Sequence, residues 1–439
     1  MNGRGSVAIV VFTRDLRVHD NPALHAAAAR AEQVVPVFVL DQRIARMRFN
    51  QPNRAAFLAD ALGDLDRTLA RRGGRLVIRR GDVAAEVASL AAATDATEVH
   101  MAADYSRYAV ARERRLRERL GRRALVLHDS HVVVAPGAVR TAGGEPFSVF
   151  SPFHRAWLQT NRRALLPAPQ RLRVPHDVPA GMVPTAAEIC PATPSPGLMP
   201  GGELAARERA KAWYDGRIAR YDGDHDALAK DGTSRLSPYL HFGCLSPLEL
   251  VARADHGLPG VEAFVRQLAW RDFFHHVLAA QPRVSTEDWR PKRDHWNTDE
   301  TVYRAWQDGR TGYPLVDAGM RQLAREGWMH NRARLVAGSF LAKHLYLDWR
   351  WGAAHFERLL LDADIANNNL NWQWVAGTGT DTRPNRMFNP TLQREHYDPD
   401  AGYVRTYVEE YGTDAYPAPI VDHREAVAAF RAARSARAG

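Results

Sequence analysis

The sequence predicts a two-part molecule. An α/β N-terminal domain carries a five-stranded, Rossmann-like parallel sheet, and an all-helical domain follows it. Three observations predict this. Short β-branched runs alternate with helical periods in the first third of the chain. A proline-rich stretch comes next. Beyond it the β-rich runs stop and tryptophan accumulates, ten of the eleven lying in 213–374.

The strands are "VAIVVF" (7–12), "VVPVFVL" (34–40), "RLVIR" (75–79), "EVHMA" (98–102) and "ALVLH" (124–128). Runs this evenly apolar suit a parallel sheet covered on both faces. Within 52–72, Phe57, Leu58, Ala61, Leu62, Leu65 and Leu69 keep helical spacing, and Gly73-Gly74 stops the helix. No G-x-G-x-x-G follows the first strand, which argues against a common dinucleotide site there. The α/β domain is placed at 1–135. The connector, 136–202, holds nine prolines between Pro167 and Pro200 and is expected to lie ordered on the surface. The helical domain is placed at 203–439. In it, "VEAFVRQLAWRDFFHHVLAA" (261–280) and "WMHNRARLVAGSFLAKHLYL" (328–347) have strong helical periodicity.

The 439 residues carry a net charge of +9, which favours an anionic partner such as nucleic acid. Only Lys211, Lys230, Lys292 and Lys343 are lysines, so the placement of arginines says more than the total. Cys190 and Cys244 form no C-x-x-C, which argues against structural zinc and a disulfide framework and suits the cytoplasm. No run reaches the ~18 apolar residues of a membrane span, and "SVAIVVF" is too short for a signal peptide. The stretch 363–381 holds no nucleophile with a base beside it and no metal-ligand spacing, and no metal is expected.

Other chemistry is implied. In "DGTSRLSPYLHFGCLSP" (231–247), hydroxyl residues flank Arg235, a set that suits either a pyrophosphate or a plain helix cap at Ser237-Pro238. Phe264, Gln267, Trp270, Arg271 and Phe274 fall near one helical face, which a polar cavity would explain. Asn331, Arg334 and Leu335 share another face, with Arg332 projecting elsewhere. A buried arginine needs an anionic partner, for which Asp362 and Asp364 are candidates. "ADIANNNLNWQWVAGTGTD" (363–381) packs asparagines and tryptophans together, and asparagine is poor inside a helix unless its amide finds partners.

"TSRLSPYL", "LAWRDFFHH", "GWMHNRARLVAGSFLAKHLYLDWRWG", "DADIANNNLNWQWVAGTGTD" and "FNPTLQ" closely resemble the photolyase/cryptochrome family, in particular its class I cyclobutane pyrimidine dimer photolyases. "FTRDLRVHDNPAL" (12–24) is similar to the family's N-terminal signature, and the resemblance runs in order along nearly the whole chain.

The resemblance implies FAD in the helical domain and UV-damaged DNA as partner. It gives Tyr221, Thr233, Ser234, Arg235, Leu236, Ser237, Phe264, Arg271, Arg334, Asp362, Ala363, Asp364 and Asn368 to the cofactor, with Asn368 facing flavin N5. Trp372, Trp349 and Trp296 match the electron-transfer chain. Gln267, Trp270, Asn331, Arg332, Trp374, Arg386 and Gln393 match the lesion and DNA contacts. The implied reaction passes an electron from photoexcited, reduced anionic FAD to the dimer and back, without acid–base catalysis.

This chain departs from the family at four places. Gln267 stands where many members have Glu, His225 where they have Arg, Leu335 where Met is common, and Phe264 where there is Trp. "YAVAR" puts Ala111 and Arg112 where folate-binding members carry Asn-Glu. An 8-hydroxydeazaflavin antenna is therefore expected over methenyltetrahydrofolate, and Arg54 is either its anionic-ring partner or a surface charge. The alternatives are a blue-light photoreceptor and (6-4) photoproduct repair. The residues after Gln393 form no low-complexity tail of the signalling kind, and a monomer is expected.

Overall fold

The computed structural model describes residues 6–254 and 257–435. Strands β1 (Val7–Phe12), β2 (Gln33–Asp41), β3 (Val77–Gly81), β4 (Glu98–Ala102) and β5 (Ala124–His128) form one sheet in the order β3-β2-β1-β4-β5. All pairings are parallel, with Val7 opposite Gln33 and Ala8 opposite Glu98. β1 is central and buried along its length, as its unbroken apolar run requires. Strand order reverses at β1 and β4. The carboxyl ends of those two strands form the switch point at which doubly wound sheets take ligands, and here the segment after β1 is buried against the helical domain, with the Leu16 N–H donating to the Phe242 carbonyl at 3.2 Å.

The connector runs along the sheet edge. The Ile78 N–H donates to the Ala180 carbonyl at 2.6 Å, and the Val34 N–H to Arg173 at 2.8 Å. It also contains the helix Phe150–Gln159, which composition does not reveal. That helix is fixed from the other domain. The Trp157 indole donates to the Asp272 carboxylate at 2.9 Å, and the Val133 and Val134 N–H groups donate to the same oxygen. Phe150 stacks on Trp270 with centroids 3.7 Å apart.

Helix Pro259–Ala280 matches its periodicity. The second strong period is shorter than expected. Its α-helix runs only over Asn331–Ser339: the His330 ring accepts the Arg332 N–H and caps its start, and the regular α pattern stops after Ser339. A wide π-type turn, Phe340–His344, follows.

One apolar cluster passes from Val10 and Phe12 through Phe57 to Phe242 and Phe273, so the two domains share a core. Each such side chain contributes about 1.5–3 kcal/mol on burial. Arg54 belongs to this junction, and neither expectation for it holds. It is 4% exposed and donates to the carbonyls of Phe49, Glu357 and Leu360. Burial pulls its pKa down to about 10. With Nη1 and Nη2 spent on carbonyls, Arg54 acts as an interdomain tie.

Candidate functional site

A cavity of about 510 Å³ opens in the helical domain. Helix Pro259–Ala280 contributes Phe264, Gln267, Trp270, Arg271 and Phe274 to its wall, so the mixed face seen in sequence is the face turned to the cavity. The turn before helix Ser237–Phe242 supplies Thr233, Ser234, Arg235, Leu236 and Ser237. Asn331, Arg332, Arg334 and Leu335 come from the next wall. Asp362, Asp364, Asn368, Trp372 and Trp374 come from the start and body of helix Ile365–Ala376, and Tyr221 lies at the edge. Arg332 therefore reaches the same cavity as Asn331 and Arg334.

Five predicted residues lie outside the wall. Ala363 is buried in the helical core. Trp349 is 1% exposed and donates its indole N–H to Asp288 at 2.8 Å, while Trp296 is half-buried beside Tyr346. Arg386 sits just outside, its guanidinium 5.0 Å from the Trp374 ring centroid. Gln393 is half-buried on helix Pro390–Tyr397.

The buried arginine finds its acid. Arg334 donates from both terminal nitrogens to Asp362, at 3.1 and 2.9 Å, and the Ser237 hydroxyl donates to Asp362 as well. Arg235 adopts a left-handed backbone, pairs with Glu326 at 3.1 Å and lies over the Trp328 ring. Arg271 donates to the carbonyls of His131 and Leu240. Arg332 is held by Asp226 and lies over Tyr397.

Asp364 caps helix Ile365–Ala376 by accepting the Asn367 N–H at 2.9 Å. Arg14, just beyond β1, bridges Asp364 and Asp104 and so joins the carboxyl edge of the sheet to the cavity. Burial pushes the Asp364 pKa up, but His275, Arg14, His241 and Arg271 outweigh it and hold the carboxyl well below its usual range. Burial itself keeps His275 and His241 uncharged at neutral pH. The two arginines therefore carry the effect there.

The asparagines find partners. Asn367, Asn369 and Asn371 donate to Asp364, Ser285 and Asn367 respectively. Asn368 donates to the Ala353 carbonyl at 3.0 Å and to Asn369 Oδ1 at 2.9 Å. Both of its amide hydrogens are thus committed, leaving Oδ1 as an acceptor on a residue of the cavity wall. Trp372 packs against Phe356 at 4.9 Å and Trp306 at 6.1 Å.

Sequence reasoning missed Arg14, Asp226 and His241. His241 lines the cavity with a buried Nδ1 that has no partner among the described residues. The signal for Arg14 was its place at the carboxyl end of a central parallel strand. No signal marked His241 or Asp226.

Comparison with known proteins decides what carries this cavity. The model for the FAD binding domain of DNA photolyase matches residues 264–413, and that for DNA photolyase matches residues 8–172. The deoxyribodipyrimidine photo-lyase of Streptomyces griseus is 52% identical over 98% of this chain and 99% of its own length. The chain belongs to the DNA photolyase family. The photolyase fold is shared with a bacterial class III photolyase from Agrobacterium tumefaciens, at a TM-score of 0.93 and 32% identity, over 100% of this chain and 99% of that one. A Synechocystis cryptochrome superposes with a TM-score of 0.90 at 26% identity, over 98% of this chain and 100% of that one. Fold alone therefore does not separate a photolyase from a cryptochrome.

Proposed function

We infer that this chain is a light-driven DNA repair enzyme that splits cyclobutane pyrimidine dimers. One observation carries the reading. A single cavity joins a polar interior, built on Asp362, Arg334 and the 233–237 turn, to the tryptophans Trp270 and Trp374. Two neighbouring ligands of different chemistry fit such a wall.

The interior suits FAD. His241 offers a buried ring nitrogen without a partner among the described residues, and the hydroxyls and arginine of 233–237 suit a pyrophosphate. When bound and reduced, FAD supplies a light-excited electron to the dimer and takes it back. Asn368 Oδ1 provides an acceptor for the N–H of a reduced flavin ring. Trp270 and Trp374 stack the flipped bases, Gln267 and Asn331 meet their polar edges, and Arg332, Arg386 and Gln393 hold the strand. Arg332 must exchange Asp226 for DNA. Trp372, Trp349 and Trp296 pass electrons inward to restore the reduced cofactor; the first two are buried and Trp296 is half-buried.

The motifs "WMHNR" and "NWQWVAGTGTD" support the class I branch and a dimer rather than a (6-4) lesion. For the antenna we favour 8-hydroxydeazaflavin. Arg112 is 7% exposed, two of its guanidinium nitrogens find no partner among the described residues, and its charge reaches Asp15 and Asp104, which follow β1 and β4. An anionic ring suits it. The free cysteines accord with a cytoplasmic enzyme, which we take to be monomeric.

The test is illumination of FAD-reduced protein with oligonucleotides carrying one thymine dimer. Light-dependent recovery of intact thymines is expected. Normal flavin photoreduction without recovery would replace repair by photoreception.

A further inference from the structure

We propose that Lys343 is a positioning residue for the DNA-binding rim: from inside the helical core it grips the turn that sets Arg386 over Trp374. The inference rests on the repair reading above and adds a residue that contacts neither cofactor nor lesion.

Lys343 is 2% exposed and lies on the π-type turn Phe340–His344. An ammonium group this deep must find acceptors. No carboxylate among the described residues forms a salt bridge with it. Instead Nζ donates to the carbonyls of Pro384 at 2.8 Å and Arg386 at 2.6 Å. Those carbonyls flank the turn that carries Arg386. The Phe430 ring lies 5.6 Å from Nζ and closes the site from the C-terminal helix.

The same face anchors the loop again. Ser339, four residues earlier, accepts the Phe388 N–H at 3.4 Å. At the loop's other end Gly377 has φ +81°, and a Cβ there would overlap the Pro384 carbonyl. The segment from Gly377 to Phe388 is thus pinned on both sides of Arg386. Arg386 itself is exposed, pairs with no acid among the described residues, and lies over the rings of Trp374 and Phe388 at 5.0 and 5.1 Å. A cation stacked on a cavity tryptophan and left unneutralised is suited to a phosphate beside a flipped base. Lys343 fixes where that cation stands.

The test uses the full FAD-loaded chain, with Lys343→Met, Arg386→Ala and the double variant. Dissociation constants are measured on an oligonucleotide with one thymine dimer. Lys343→Met is expected to weaken binding roughly tenfold, with repair at saturating DNA and flavin photoreduction unchanged. In the Arg386→Ala background it is expected to cost nothing further, because it acts through Arg386. Trypsin is expected to cut Lys343→Met at Arg383 or Arg386 sooner than the unaltered chain. Unchanged affinity, or an equal loss in both backgrounds, would overturn the proposal. Should Lys343→Met lose FAD, Ser339→Ala takes its place, and the same Arg386-dependent loss is required. Failure of the unaltered chain to bind dimer DNA would count against the repair reading and leave the clamp on Arg386 standing as geometry.

Discussion

The Arg334–Asp362 pair shows how one residue's environment decides its worth. Asp362 is 8% exposed, and Arg334 reaches it through two parallel bonds. Removing one partner strands a buried charge, which costs about 3–5 kcal/mol. Arg334→Met is expected to lower unfolding stability by roughly the smaller of these values, because the arginine is partly solvated, and to lose FAD on purification. Urea titration and the flavin absorbance of the purified variant check both. At Asn368 the expected consequence is electronic. Asn368→Asp surrenders the bond to the Ala353 carbonyl and places an anion on the wall assigned to the flavin. A more negative flavin midpoint potential is expected. An unchanged potential would remove Asn368 from the ring. The sequence made the choice of Asp362 legible, because an arginine on an apolar face demands an acid. It did not show that the Asn368 amide is spent inside the protein, since that depends on a carbonyl fifteen residues away.

At the level of elements, helix Ile365–Ala376 is held by contacts that periodicity does not encode. Gln373 is fully buried, accepts the Trp289 N–H at 2.8 Å and donates to the Val284 carbonyl at 2.7 Å. Such cross-links explain an asparagine- and glutamine-rich helix that would be poor in isolation. Its packing on helix Trp349–Leu359 depends on Gly352, where a Cβ would overlap the Trp372 ring. Gly352→Ala is expected to displace that ring and to destabilise the protein by about 1–3 kcal/mol. It is also expected to slow flavin photoreduction while sparing repair by pre-reduced enzyme. Transient absorption and denaturant titration measure the two effects. The strands were legible because each contains an apolar run, though β3, Val77–Gly81, extends two residues beyond the expected 75–79 into Arg80 and Gly81. The helix in the connector was not, because it is short and its stability comes from Asp272 and Trp270 in the other domain. The start of helix Asn331–Ser339 was hidden for a similar reason, since His330 caps it with a side chain that composition reads as interior.

At the scale of the whole molecule, the two domains share one core and are stitched by Arg14 and Arg54, so the carboxyl edge of the sheet and the helical cavity have fixed relative positions. The strand order behind this geometry was not legible, because crossovers rather than run composition set it. Buried histidines at the domain junction and around the cavity give the assembly a pH limit. Burial lowers His275 and His330 to about 4 and His355 to about 3. As pH falls below about 6.5, the unfolded chain takes up protons that these folded-state rings refuse until near 4. Stability is therefore full above about 6.5 and declines toward 4. Thermal scans are expected to show a falling Tm between pH 7 and pH 5, and a flat Tm there would contradict burial of these rings in the neutral form. The central claim is that damaged bases and flavin meet in one cavity. The excited-state lifetime of reduced FAD in the protein tests it most directly, compared with intact DNA and with the same strand carrying a dimer. The account predicts a shorter lifetime with the dimer alone. An equal lifetime under saturating dimer DNA would place the lesion elsewhere and contradict it.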